Sequence, residues 1–203
     1  MAAAKAFPHR PALLLAAALW ALPAPAAAWT PPADPAGWGR FALGFVGGVA
    51  GHELGHVLVA TAQGDRVAFS GPSIVYPDAE TGGAGQFHAA SAGFQAQWLL
   101  SEAVLWHHEA QPAGHRISNV GAGVVGAHLA ITAAYLAVLR HHELSDIQGM
   151  ANGSHLHPDQ LMAVVTLPAL LDGWRLFAAR PPGWVPRLAR LGKGIGIAMV
   201  WRY

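Results

Sequence analysis

Cysteine is absent from the 203 residues, and Asp, Glu, Lys and Arg together supply only 11% of them. The first absence excludes disulfide frameworks, thiolate nucleophiles, Cys-based zinc fingers and iron–sulfur ligation, so a metal would have to be held by His and carboxylate. The second leaves less than half the roughly 25% charge content usual in soluble domains. A surplus of either sign is missing too. With 12 Lys+Arg against 11 Asp+Glu the net charge is +1, which excludes the broad basic footprint of a nucleic-acid binder and the acidic composition of disorder. What is present is a 53% hydrophobic chain with 12 His and 24 Gly, the profile of a membrane protein with unusually many imidazoles.

The N-terminus has the layout of a secretory signal. Lys5 and Arg10 precede an apolar stretch at 12–22, which is too short to cross ~30 Å of hydrocarbon as a helix; Pro-Ala-Pro and the small residues Ala26, Ala27 and Ala28 follow. Residues 1–28 are expected to be a signal peptide cut before Trp29, or an uncleaved signal anchor. Beyond a Pro-rich spacer, 41–62 is long and apolar enough to span, and its only ionisable side chains are His52, Glu53 and His56. Short extended runs at 67–69 and 73–76 flank Gly71-Pro72 and read as a small hairpin or loop at the membrane surface. Residues 89–106 hold Gln95, Gln97 and Glu102 in apolar surroundings, which fits a span with a polar inner face or a re-entrant segment. The cleanest span is 117–139, with His128 inside it, and 161–179 is a fourth, interrupted by Asp172 and Arg175. Residues 140–160 read as a polar, His-containing loop. Residues 180–203 carry Arg180, Arg187, Arg190, Lys193 and Arg202 without an acid and read as a basic C-terminal tail. The expected fold is an all-α polytopic membrane protein of about four to five transmembrane helices, with 29–179 as the membrane-embedded core.

Within the first span lies Gly51-His52-Glu53-Leu54-Gly55-His56, an H-E-x-x-H motif. Residues i and i+4 share a helix face, so His52 and His56 can offer nitrogens to one cation while Glu53 reaches the water beside it. Zinc suits His and carboxylate ligands, and its catalytic sites keep three protein ligands and an open position. It lowers the pKa of bound water to about 7 and polarises a carbonyl, and a neighbouring carboxylate takes the proton. An unpaired Glu at mid-span costs roughly 3 kcal/mol, which a cation would offset.

The third ligand has no motif beside the first two. The form with a third His six residues after His56 is excluded, since Ala62 stands there. Glu102, Glu109 and Glu143 are remote alternatives, Asp146 is a loop alternative, and His128 stands alone in its helix as a further one. Asp172 is preferred because it occupies the twelfth position of its span, as His52 does of its own. Gly47, Gly51 and Gly55 allow close approach of another helix, expected to be the one that carries Asp172. Arg175, a turn later, is placed to orient that carboxylate.

His-Glu-Leu-Gly-His, the following stretch from Gly64 to Pro72, and Leu171-Asp172-Gly173 together resemble the site-2 protease family of intramembrane zinc metalloproteases. Ser91-Ala92-Gly93-Phe94 is similar to that family's Ala-Gly-containing helix, and of its Pro-rich lead-in to L-D-G only Pro168 is present. The resemblance implies zinc held by His52, His56 and Asp172, Glu53 as general base, and cleavage of a membrane-protein substrate in the lipid bilayer, with the bacterial cytoplasmic membrane as the location. It implies no nucleic-acid partner. The competing expectation is a non-catalytic metal-binding membrane scaffold that keeps the peptidase fold.

Overall fold

A computed structural model of the chain describes residues 27–70, 73–78, 82–178 and 180–202. Most of the expected signal sequence, 1–26, lies outside the described residues. Helix α1, Pro35–Gln63, starts where the Asp34 carboxylate accepts the Gly37 N–H at 2.8 Å and proline holds the first helical position. It stops at Gly64, whose φ of 91° is the left-handed conformation favoured by glycine. The expected hairpin follows as strands β1, Ala68–Ser70, and β2, Ser73–Val75, antiparallel with Phe69 opposite Ile74. Arg66 and Asp78 form an exposed ion pair across its base, Nη2 to Oδ1 at 2.8 Å.

Helix α2 covers Gly83–Glu109, and α3 covers Asn119–Ala134 and runs on as a π-helical turn, Tyr135–Leu139. Two elements depart from the sequence expectation. The supposed loop at 140–160 contains a short helix α4, Asp146–Asn152, capped by the Ser145 hydroxyl on Gln148 N–H. After α5, Pro158–Phe177, the supposed basic tail forms helix α6, Trp184–Val200. Its Lys193 is buried rather than free, because carboxylates of α2 and α5 receive it.

Helix α1 packs against α2 and α3, while α5 packs against α6, α3 and α4. Glycine sets the first of these contacts. A Cβ on Gly44 would overlap the Val120 carbonyl of α3, and one on Gly55 would stand 2.5 Å from the Ala92 carbonyl of α2. Of the three glycines expected to admit the helix of Asp172, Gly51 and Gly55 meet α2 and Gly47 faces open space, while Gly44 and Gly48 admit α3. Phe87, Phe94, Trp98, Tyr135, Ile147 and Leu161 form the main apolar core.

Polarity is inverted relative to a water-soluble bundle. The outer face of α1 exposes Leu43, Val46, Leu54 and Leu58, and that of α6 exposes Trp184, Leu188, Leu191 and Ile195. Asp172, Arg175 and Lys193 lie inside, each less than 5% exposed. Among the described residues two helices, α1 and α3 with its π turn, are long and apolar enough to cross a membrane.

Candidate metal centre

Three ligand atoms converge at the buried face of α1. His52 Nε2 and His56 Nε2 lie 3.2 Å apart, and the Asp146 Oδ2 of α4 is 3.1 Å from the first and 3.2 Å from the second. The tautomers are set from behind. His56 Nδ1–H donates to the Ala89 carbonyl at 2.7 Å, and His52 Nδ1–H donates to Gln97 Oε1 at 3.1 Å. When the rings are neutral, each Nε2 turns a lone pair toward the other and toward a carboxylate oxygen. Three such donors facing one another call for a cation.

The spacing fits zinc. Four donors at ~2.0–2.1 Å in a tetrahedron stand about 3.3–3.4 Å apart, and the three distances here fall just short of that. The chemistry fits as well, since two imidazoles and one carboxylate form a catalytic zinc set. Among the described residues this is the one group of three or more such side chains placed to hold an ion. Gly93 of α2 makes the room, because a methyl there would overlap His56 Nε2 and stand 2.6 Å from His52 Nε2.

Asp146 is held in place from the other side. Tyr135 Oη, at the first position of the π turn, donates to Asp146 Oδ2 at 2.5 Å. Burial alone would raise the Asp146 carboxyl, but positive charge on the His56 and His52 imidazoles in their protonated form, with the hydrogen bonds they give, outweighs it and holds the group well below the usual carboxylate range. It is an anion ready to act as a ligand.

The structure does not bring Asp172 to the two histidines. Asp172 Oδ1 accepts from Arg175 Nη1 at 2.9 Å, and Oδ2 accepts from Ser101 Oγ at 3.0 Å and faces Lys193 Nζ at 2.6 Å. The physical reason is helix order: α1 packs on α2 and α3, and the α5 carboxylate is spoken for by bases of α5 and α6. Glu102 and Glu109 belong to the same network. Glu102 binds Arg175 at 2.7 Å and Lys193 at 2.8 Å, and Glu109 binds Arg175 at 2.8 Å. Arg190 bonds to both glutamates. His128, 1% exposed, has no hydrogen-bond partner among the described residues, and its Nε2 is 3.6 Å from Asp172 Oδ2.

One wall of the centre opens on a cleft of about 1200 Å³ whose lining includes Glu53, His56, Asp146, Tyr135 and Tyr76. Glu53 is exposed there, beside the ligands rather than among them. Tyr135 and Gly93 went unassigned from sequence, although a lone phenol in an apolar span is a signal that asks for a partner. Compared with protein-family models, curated proteins and solved structures, the chain gives no match in any of the three.

Proposed function

We propose that the chain is a membrane-embedded zinc peptidase that hydrolyses peptide bonds of membrane proteins. The observation that carries this reading is the convergence of His52, His56 and Asp146 at tetrahedral spacing on the wall of a cleft that also holds Glu53. The site-2 protease resemblance supplies the same chemistry with one change: Asp146 takes the ligand position assigned there to Asp172.

Zinc, when bound, would supply a Lewis acid for the substrate carbonyl and acidify water at neutral pH. The chain's own residues do the rest. Glu53 accepts the proton of the attacking water and returns it to the leaving amine. Gln97 and the Ala89 carbonyl keep both imidazoles with Nε2 forward, and Tyr135 fixes the carboxylate. Membrane embedding is supported by the exposed Leu and Val of α1 and the charges kept inside. In this reading α1, α2, α3 with its π turn, and α5 span the bilayer, since 20 residues of helix reach about 30 Å. Helix α6 completes the bundle. An open cleft admits water to a centre otherwise closed by helices, as hydrolysis requires.

The test is zinc content and hydrolysis measured on the same purified protein. Wild type should carry one zinc per chain and cut labelled transmembrane peptides, and Glu53→Gln should keep the zinc and lose the cutting. A metal-free wild type, or undiminished cutting by Glu53→Gln, would sink the reading.

A further inference from the structure

The Asp, Glu, Lys and Arg side chains that line the cleft are all acids. Setting aside Lys5, Arg10 and Glu80, which lie outside the described residues, the chain has ten Asp and Glu and ten Lys and Arg. Five of the acids line the cleft, namely Glu53, Asp65, Asp78, Glu143 and Asp146, and none of the bases does. Two of the five are occupied, Asp78 by Arg66 and Asp146 by the two imidazoles, and the peptidase reading assigns Glu53 to the proton of the attacking water. Asp65 and Glu143 have no side-chain partner among the described residues. The cation nearest Glu143 in the chain, Arg140, is engaged 3.3 Å from Asp159 instead.

We infer that the cleft selects substrate segments carrying Lys or Arg close to the bond to be cut, with Asp65 and Glu143 as the carboxylates that receive them. This rests on the peptidase reading and names its substrate class. A divalent ion at the centre would be matched by Asp146 and Glu53, so the mouth keeps the negative charge of the other two. Asp65 follows directly on the C-terminus of α1, where the helix dipole adds negative potential. Apolar walls around such charges focus the field rather than screen it.

Two neighbours suit a peptide better than a free cation. Phe69 of β1 lines the cleft with 77% of its surface exposed, an apolar ledge for the methylene stem of a lysine or for the residue next to it. Tyr76 lines the same wall with a hydroxyl that is shielded from solvent and has no partner among the described residues. Burial and the charges of Glu53 and Asp146 push that phenol up to about 12, so it stays a donor for a backbone carbonyl. A cation beside apolar residues is what the flank of a membrane-spanning segment presents.

The experiment uses the full chain in an uncharged detergent, loaded with zinc. Two fluorescein-labelled peptides share one apolar stretch and differ only in two adjacent residues, Lys-Lys in one and Gln-Gln in the other. Anisotropy should show the Lys peptide bound on the order of tenfold more tightly at low salt, with the ratio shrinking in 500 mM NaCl, where the screening length is about a third of that at 50 mM. The double variant Asp65→Asn, Glu143→Gln should bring the ratio to one. Equal binding of the two peptides by wild type, or a ratio that survives in the double variant, overturns the inference. Mass spectrometry of the same mixtures separates the two claims. A Lys preference with neither peptide cut sinks the peptidase reading and leaves cation selection standing; cutting without preference does the reverse.

Discussion

Tyr135 donates its phenolic hydrogen to the same Asp146 oxygen, Oδ2, that faces both histidine nitrogens. Its ring is held by an edge-on contact with Phe94, centroids 5.1 Å apart, so the hydroxyl has a fixed origin. The π turn that begins at Tyr135 widens the helix at this point, and such turns recur at functional sites. Tyr135→Phe keeps the ring and removes the bond. Zinc affinity should fall about 10–100-fold, the usual cost of losing an outer-shell partner, with helix content by circular dichroism unchanged. Wild-type affinity in this variant would show that Asp146 needs no such support.

The two aspartates should part company when each is made neutral. Asp146→Asn should lose zinc while the bundle stays folded, since the change keeps the side chain's size and leaves an oxygen that can still accept from Tyr135. Asp172→Asn should retain zinc in whatever fraction folds, but lose about 3–5 kcal/mol of stability, because Arg175 and Lys193 would be left buried with one acid fewer. Zinc stoichiometry and denaturant midpoints of the two variants decide the matter. The opposite pattern would return the ligand role to Asp172.

Gly93→Ala places a methyl group against both Nε2 atoms. Overpacking of this kind costs about 1–3 kcal/mol, and here it falls on the ligand geometry. Zinc binding should weaken by about 5- to 150-fold at that cost, and Gly39→Ala, at an open position of α1, serves as the control that should change nothing. Calorimetric titration of metal into the stripped proteins reads both.

The missing cysteines make a clean probe possible, because each introduced thiol is the only one in the chain. Spin labels on Leu58→Cys and Leu191→Cys, both on apolar outer faces, should be relaxed more by oxygen, which partitions into lipid, than by a water-soluble nickel chelate. A label on Glu143→Cys at the cleft should show the reverse. Water-like behaviour at Leu58 and Leu191 would remove the bilayer from the account.

Much of this was legible in the residues. The spacing of His52 and His56 fixes their shared face, the apolar runs mark the four long helices, and Gly71-Pro72 between extended runs marks the hairpin. Asp172 was misleading for a definite reason: depth in a span says how far along the membrane normal a side chain lies, but not which neighbour its helix touches. The glycines of α1 turned out to admit α2 and α3, and that choice depends on backbone contacts invisible in a ladder of glycines. Asp146 looked like an ordinary loop carboxylate because the helix that presents it is only seven residues long and begins at the aspartate itself. Helix α6 was hidden by its arginines and lysine, which read as a solvated tail until the acids of α2 and α5 give them partners.

Those partnerships also impose an order of events on biosynthesis. Glu102 is made 88 residues before Arg190 and 91 before Lys193. Until α6 emerges, the acids of α2 and α5 have Arg175 alone to answer them. The bundle therefore completes its charge balance late, when α6 arrives, and a chain stopped ahead of α6 holds three buried or half-buried carboxylates against one guanidinium.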